Sequence, residues 1–160
     1  MQGDLLGGPT VDEAGGYRCI LADPPWEERG GGGRGAQEHY PLLKTPDVIR
    51  VMVSAPCWQP ARGAHLWLWV TNNFLEDGLL VMRALGFRYV TNACWAKDKI
   101  GLGQYLRGQH ELLLFGVRGS LPAVEVPPSL ITAPRTRHSA KPEESYRLVE
   151  RVSTAGNDPR

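Results

Sequence analysis

"YRCILADPPW", residues 17–26, joins an apolar run to an aspartate, two prolines and a tryptophan. Tyr17 to Ala22 reads as a buried strand, since a short continuous apolar run suits a strand covered on both faces. Proline fixes φ and lacks an amide N–H, and a residue before proline is pushed toward extended backbone. Asp23-Pro24-Pro25 is therefore a stiff segment closing that strand, with carbonyls expected to have few backbone partners. Two readings stay open at this level. One is an ordinary strand end with Trp26 in the core. The other is a small reactive site that grips something flat.

The chain downstream decides where that segment sits. "GGGGRG" at 30–35 reads as a loop; it lacks the spacing and the Lys-Ser or Lys-Thr of a phosphate cradle. Thr45 and Pro46 predict a helix start, with Thr45 as N-cap, running to about Ser54 with Val48, Val51 and Met52 on its apolar face. "AHLWLWV" at 64–70 predicts a central strand. Asn73 is placed to cap the next helix, whose Leu75, Leu79, Met82 and Leu85 recur at helical spacing before Gly86 ends it. Strands are expected over 87–97 and 110–117, with a polar loop between them. A Pro-rich crossing from 122 to 134 holds a short strand near Leu130 and Ile131. Pro142, Glu143 and Glu144 open a last helix through about Val152. Residues 1–16 read as a loose lead-in and 17–160 as one domain. Strands alternating with helices predict an α/β fold with a mostly parallel sheet. In such sheets ligands bind beyond the carboxyl ends of strands, and "DPPW" lies at one.

Composition narrows the function classes. The formal charge is +1 over 160 residues and the sequence pI is about 7.8. That excludes a strongly basic, histone-like binder but not a local basic groove. Cys19, Cys57 and Cys94 form no CxxC pair and read as free thiols of a reducing compartment. The start "MQGDLLGGPT" has no basic, apolar leader, and no apolar run approaches the ~20 residues of a membrane helix. A cytoplasmic protein without membrane association is expected. His39, His65, His110 and His138 show no metal-ligand spacing, so no metal is expected.

The chemistry of "DPPW" is that of acceptors beside a plane. Asp23 and the nearby carbonyls offer only acceptors, and Trp26 offers a flat apolar wall. A planar group bearing an NH2 suits that pair; adenine fits, its amine supplying two donors while its ring stacks. Two basic stretches stand out, the first of them suited to phosphates or a cofactor. One is Arg135, Arg137, His138 and Lys141. The other, a candidate substrate loop, is Lys97, Lys99, Tyr105 and Arg107.

Four ordered blocks carry a resemblance: "DPPW" after its strand, "WLWVTNNF" at 67–74, "WAKDKIGLGQYLRGQHELLLFGVRG" at 95–119 and "RTRHSAKPEESYRLVER" at 135–151. Together they resemble the MT-A70 adenine methyltransferases, which include writers of N6-methyladenine in messenger RNA and bacterial and phage DNA methyltransferases. The resemblance implies a Rossmann-like fold, S-adenosyl-L-methionine as methyl donor, and a permuted order with the catalytic motif first. It implies that Asp23, Pro24, Pro25 and Trp26 form the catalytic motif. The Asp23 side chain and Pro24 carbonyl would hold the amine, and Trp26 would pack against the base or shape its pocket. Asp23, His138 and Lys141 are implied as cofactor contacts, with Lys141 on the methionyl carboxylate. Tyr40 is implied as a substrate contact or lid, with a core role as its alternative.

The family continues past the last helix into a further cofactor strand, so the pattern predicts a sheet lacking its C-terminal strand. The compact length suggests the bacterial or phage type, hence DNA ahead of RNA, acting as a homo- or hetero-oligomer. A non-catalytic nucleic-acid-binding or partner subunit is the alternative, and a methyltransferase for a small amine a third.

Overall fold

The computed structural model describes residues 11–12, 14–26, 42–101, 103, 105–136 and 140–154. The elements are β1 (Tyr17–Ala22), α1 (Thr45–Ser54), β2 (Pro60–Val70), α2 (Leu75–Ala84), β3 (Arg88–Ala96), β4 (His110–Arg118), β5 (Leu130–Thr132) and α3 (Glu143–Ser153). The strands form one sheet in the order β1-β2-β4-β3-β5. β1 pairs parallel with β2 and β5 parallel with β3, while β4 pairs antiparallel with both β2 and β3. Four of the five strands thus run one way, as a mostly parallel sheet requires, and β4 is the exception. Its reversal has a local cause. β3 and β4 are joined by residues 97–109 with no helix between them, so the chain returns alongside itself. The helical crossover through α2 instead carries β3 past the place that β4 then fills.

β2 is the central strand, and its alternation builds both cores. Leu66, Leu68 and Val70 face α1 and α2, together with Val48, Phe74, Val81, Met82, Phe87 and Leu114. Trp67 and Trp69 face α3, with Trp95, Leu113, Phe115, Ile131, Leu148, Val149 and Val152. Each fully buried leucine here contributes about 1.5–3 kcal/mol. A polar network pins the C-terminal end of α3 to the second face. The Ser153 hydroxyl accepts from Trp67 Nε1–H at 2.8 Å and lies 3.0 Å from His65 Nδ1, while His65 Nε2 is 3.0 Å from the Leu121 carbonyl.

Several local expectations shift. Thr45 is not the N-cap but the first residue of α1; Lys44 takes the cap position without a side-chain bond. The Thr45 hydroxyl is drawn instead to the buried Asp77 carboxylate on α2, tying the two helices. Asn73 does not cap α2 either: residues Asn72–Phe74 form a 3-10 turn and the helix proper starts at Leu75. Val51 is 50% exposed, and Ile49 packs on the core beside Val48 and Met52 in its place. β2 starts at Pro60, earlier than residue 64. Gly86 ends α2 as expected, at φ +81, a conformation other residues rarely adopt. The glycine run at 30–35 and residues 1–10 of the lead-in lie outside the described residues.

Candidate active site at the strand ends

Asp23 follows Ala22, which pairs with Leu68, so the motif leaves the sheet at the carboxyl end of β1. Its backbone is fixed by internal bonds. The Trp26 N–H donates to the Pro24 carbonyl at 3.0 Å, closing a tight three-residue turn, and the Leu43 N–H donates to the Pro25 carbonyl at 2.8 Å. The Pro24 and Pro25 carbonyls, expected to have few backbone partners, have one each, because the turn and the strand-like bridge between Trp26 and Leu43 bring N–H groups to them.

Trp26 is the anchor of this segment. It is 8% exposed, stacks on Phe74 with centroids 5.6 Å apart and planes at 19°, and donates its indole N–H to the Trp69 carbonyl at 3.0 Å. It therefore positions the motif from within the core. Asp23, by contrast, presents a side chain that is 43% exposed.

Asp23 belongs to a line of alternating charges. Its Oδ2 is 3.1 Å from Lys141 Nζ, and Lys141 Nζ is 3.1 Å from Glu111 Oε2. Glu111 is bonded in turn to Lys97. The two ammonium groups rest over indoles, Lys141 at 5.2 Å from the Trp69 ring centre and Lys97 at 4.8 Å from that of Trp95. The sheet dictates this layout. Trp69 pairs with Leu113 and Trp95 with Glu111, so on one face the indoles flank the carboxylate. Lys141 arrives from above, just ahead of α3.

The electrostatics follow from the sharing of Lys141. Burial pushes the Asp23 carboxyl up; Lys141 pulls it down, Glu111 repels it, and the net direction is up. Burial also pushes Glu111 up, but Lys141 and Lys97 together outweigh it and hold Glu111 below its usual range. Burial works against the Lys141 ammonium, yet its two carboxylates keep it raised. The two carboxylates are thus shifted in opposite directions, Glu111 down and Asp23 up.

The residues read from sequence separate into groups. Asp23 and Lys141 meet directly, and Lys97 joins them through Glu111. Lys99, Tyr105 and Arg107 lie out on the loop between β3 and β4. There Arg107 Nε donates to the Gly101 carbonyl at 3.1 Å, and Tyr105 is 99% exposed. Arg135 donates its backbone N–H to the Asp98 carboxylate at 2.8 Å, clipping the end of β3 to the segment after β5. Tyr40, Arg137 and His138 lie outside the described residues. Sequence reading missed Glu111. Its only signal is a carboxylate placed second in the apolar strand "HELLLFGV", a position that costs several kcal/mol unless a cation meets it.

The model of the MT-A70 family matches residues 17–159. A putative N(6)-adenosine-methyltransferase MT-A70-like of Medicago truncatula is 27% identical over 155 residues, covering 89% of this chain and 23% of that protein. The N(6)-adenosine-methyltransferase catalytic subunit METTL3 of Homo sapiens is 27% identical over 153 residues, 89% of this chain and 25% of that protein. The N6-adenosine-methyltransferase non-catalytic subunit MTB of Arabidopsis thaliana is 33% identical over 82 residues, 51% of this chain and 10% of that protein. The chain spans about a quarter of the length of the first two.

Proposed function

This chain belongs to the MT-A70 family, and from that premise we propose that it transfers a methyl group from S-adenosyl-L-methionine to the exocyclic N6 amine of adenine in nucleic acid. The observation that carries the reading is Asp23: an accessible carboxylate at a strand's carboxyl end, on backbone locked by Trp26, 3.1 Å from the Lys141 ammonium. The charged groups fit the donor. Lys141 suits its carboxylate, and Asp23 suits its cationic end. When bound, the donor supplies an electrophilic methyl carbon on a cationic sulfur.

The protein's share is to position and polarise. The amine lone pair is delocalised into the adenine ring and is a poor nucleophile. Asp23 accepts one amine N–H, and the Pro24 carbonyl, with one lone pair left beyond the Trp26 bond, accepts the other. Both bonds favour a tetrahedral nitrogen whose lone pair attacks the methyl carbon in line. The donor, held by Lys141 and Asp23, would supply the methyl carbon for the new C–N bond and would keep the electron pair of its C–S bond on sulfur. The nitrogen then holds a surplus proton, and Asp23, pushed up by burial, is the adjacent acceptor. Exposed Tyr105, with Lys99 and Arg107, forms the substrate loop, offering a ring to an unpaired base and cations to its phosphates.

The relatives' names specify adenosine and so favour RNA over the DNA expected from sequence. The relatives named above are plant and animal proteins, and they lend no support to a bacterial or phage type. The similarity to a non-catalytic subunit supports a second reading, a partner subunit that binds nucleic acid without transferring methyl groups. No helix among the described residues is long and apolar enough to cross a membrane.

Tritium transfer from labelled donor into adenine-containing RNA and DNA oligonucleotides tests the proposal. Label is expected in adenine, reduced by about a hundredfold or more in Asp23→Ala. Wild-type turnover in that variant would remove Asp23 from the chemistry. Binding of the oligonucleotides without transfer would support the partner-subunit reading.

A further inference from the structure

We propose that Lys97 is a positioning residue of this site: through Glu111 it holds Lys141 between two carboxylates and so sets the charge balance at Asp23. The sequence placed Lys97 in a candidate substrate loop, but the side chain is 15% exposed, rests over the Trp95 indole and is bonded to Glu111. Its backbone is clamped as well. The Lys97 N–H donates to the Gln109 carbonyl at 2.9 Å, and the Gln109 side-chain amide donates to the Lys97 carbonyl at 3.1 Å. The first residue after β3 is thereby locked to the residue before β4, which fixes where its ammonium can reach.

The consequence follows from counting charges along the line Asp23, Lys141, Glu111, Lys97. With Lys97 present, Glu111 has two cations and Lys141 is shared between its two acids. Without Lys97, Glu111 has Lys141 alone, and an uncompensated negative charge lies nearer Asp23. Ionised Asp23 then becomes costlier. Four other charged or titratable groups border this line. Asp98 and Arg135 are joined through the Arg135 N–H, Lys99 lies beside Asp98, and His110 precedes Glu111. None of them is bonded to Glu111 or Lys141 among the described residues.

The functional meaning of this inference rests on the proposed reaction, which needs an ionised Asp23, but its test does not. The titration of the Asp23 carboxyl is followed by carbon-13 NMR in aspartate-labelled protein without substrate, its signal assigned by loss in Asp23→Asn. In Lys97→Met the midpoint should move to higher pH, and Lys97→Arg should restore it. In Glu111→Gln the midpoint should move to lower pH, and adding Lys97→Met should then change nothing. If methyl transfer is observed, the acid limb of kcat/KM should follow, with about threefold lower kcat/KM on that limb for Lys97→Met and an unchanged KM for nucleic acid.

An Asp23 midpoint that ignores Lys97→Met overturns the inference, as does a raised KM with an unmoved titration, which would return Lys97 to substrate binding. Should Lys97→Met fail to fold, a midpoint that does not fall in Glu111→Gln overturns it equally. Absence of methyl transfer alongside the expected NMR shifts would count against the proposed function alone.

Discussion

Replacing Trp26 with alanine separates an anchor from a platform. The indole is 8% exposed, stacked on Phe74, and bonded through Nε1–H to the Trp69 carbonyl at 3.0 Å. Truncation of a buried tryptophan costs about 3–5 kcal/mol through lost contacts and residual cavity. Trp26→Phe keeps most of the stacking but strands the Trp69 carbonyl, at about 1–3 kcal/mol. Urea unfolding followed by circular dichroism measures both, and the alanine variant should lose more than the phenylalanine variant. Donor and oligonucleotide affinity, measured at a urea-free temperature where each variant is folded, should change less than stability does. The opposite pattern, a stability loss under about 1 kcal/mol with a large loss of oligonucleotide affinity, would refute the anchor argument. Trp26 would then be a stacking surface for the base.

The pH dependence of stability should carry two opposite signs. Glu111 is held below its usual range, so its contribution is present above its unfolded-state value and fades as pH falls through the lowered folded one; the disadvantage of Glu111→Gln, measured by urea unfolding, should shrink in acid. Asp23 is raised, so ionising it costs the folded state; Asp23→Asn should gain on the wild type as pH rises through the raised titration, and a gain in acid instead would reverse the assignment. Ser153→Ala removes the partner of both Trp67 Nε1–H and His65 Nδ1 and should cost about 1–3 kcal/mol in thermal unfolding; a neutral result would mean the two rings satisfy themselves elsewhere. Gly78→Ala would set a Cβ 2.5 Å from Val70 Cγ1 and should destabilise by about 1–3 kcal/mol, whereas an unchanged melting temperature would show that α2 can lift from β2.

The elements and the place of the candidate site in the fold were legible from local pattern. Period-two runs, helical spacing, the stop at Gly86 and the start at Pro142 depend on neighbours a few residues apart, so β2, α2, β4 and α3 could be outlined from sequence. "DPPW" at a strand's carboxyl end likewise needed only its flanking run. Tertiary structure decided everything that required distant residues to meet. It inserted β4 between β2 and β3, turned Trp26 inward onto Phe74 and Trp69, and occupied the Pro24 and Pro25 carbonyls. It also made Lys97 a partner of Glu111 rather than a loop cation. Spacing along a chain specifies which face a residue shares with its near neighbours. A buried charge finds its counterion across the sheet, where strand register, not sequence separation, sets the distance.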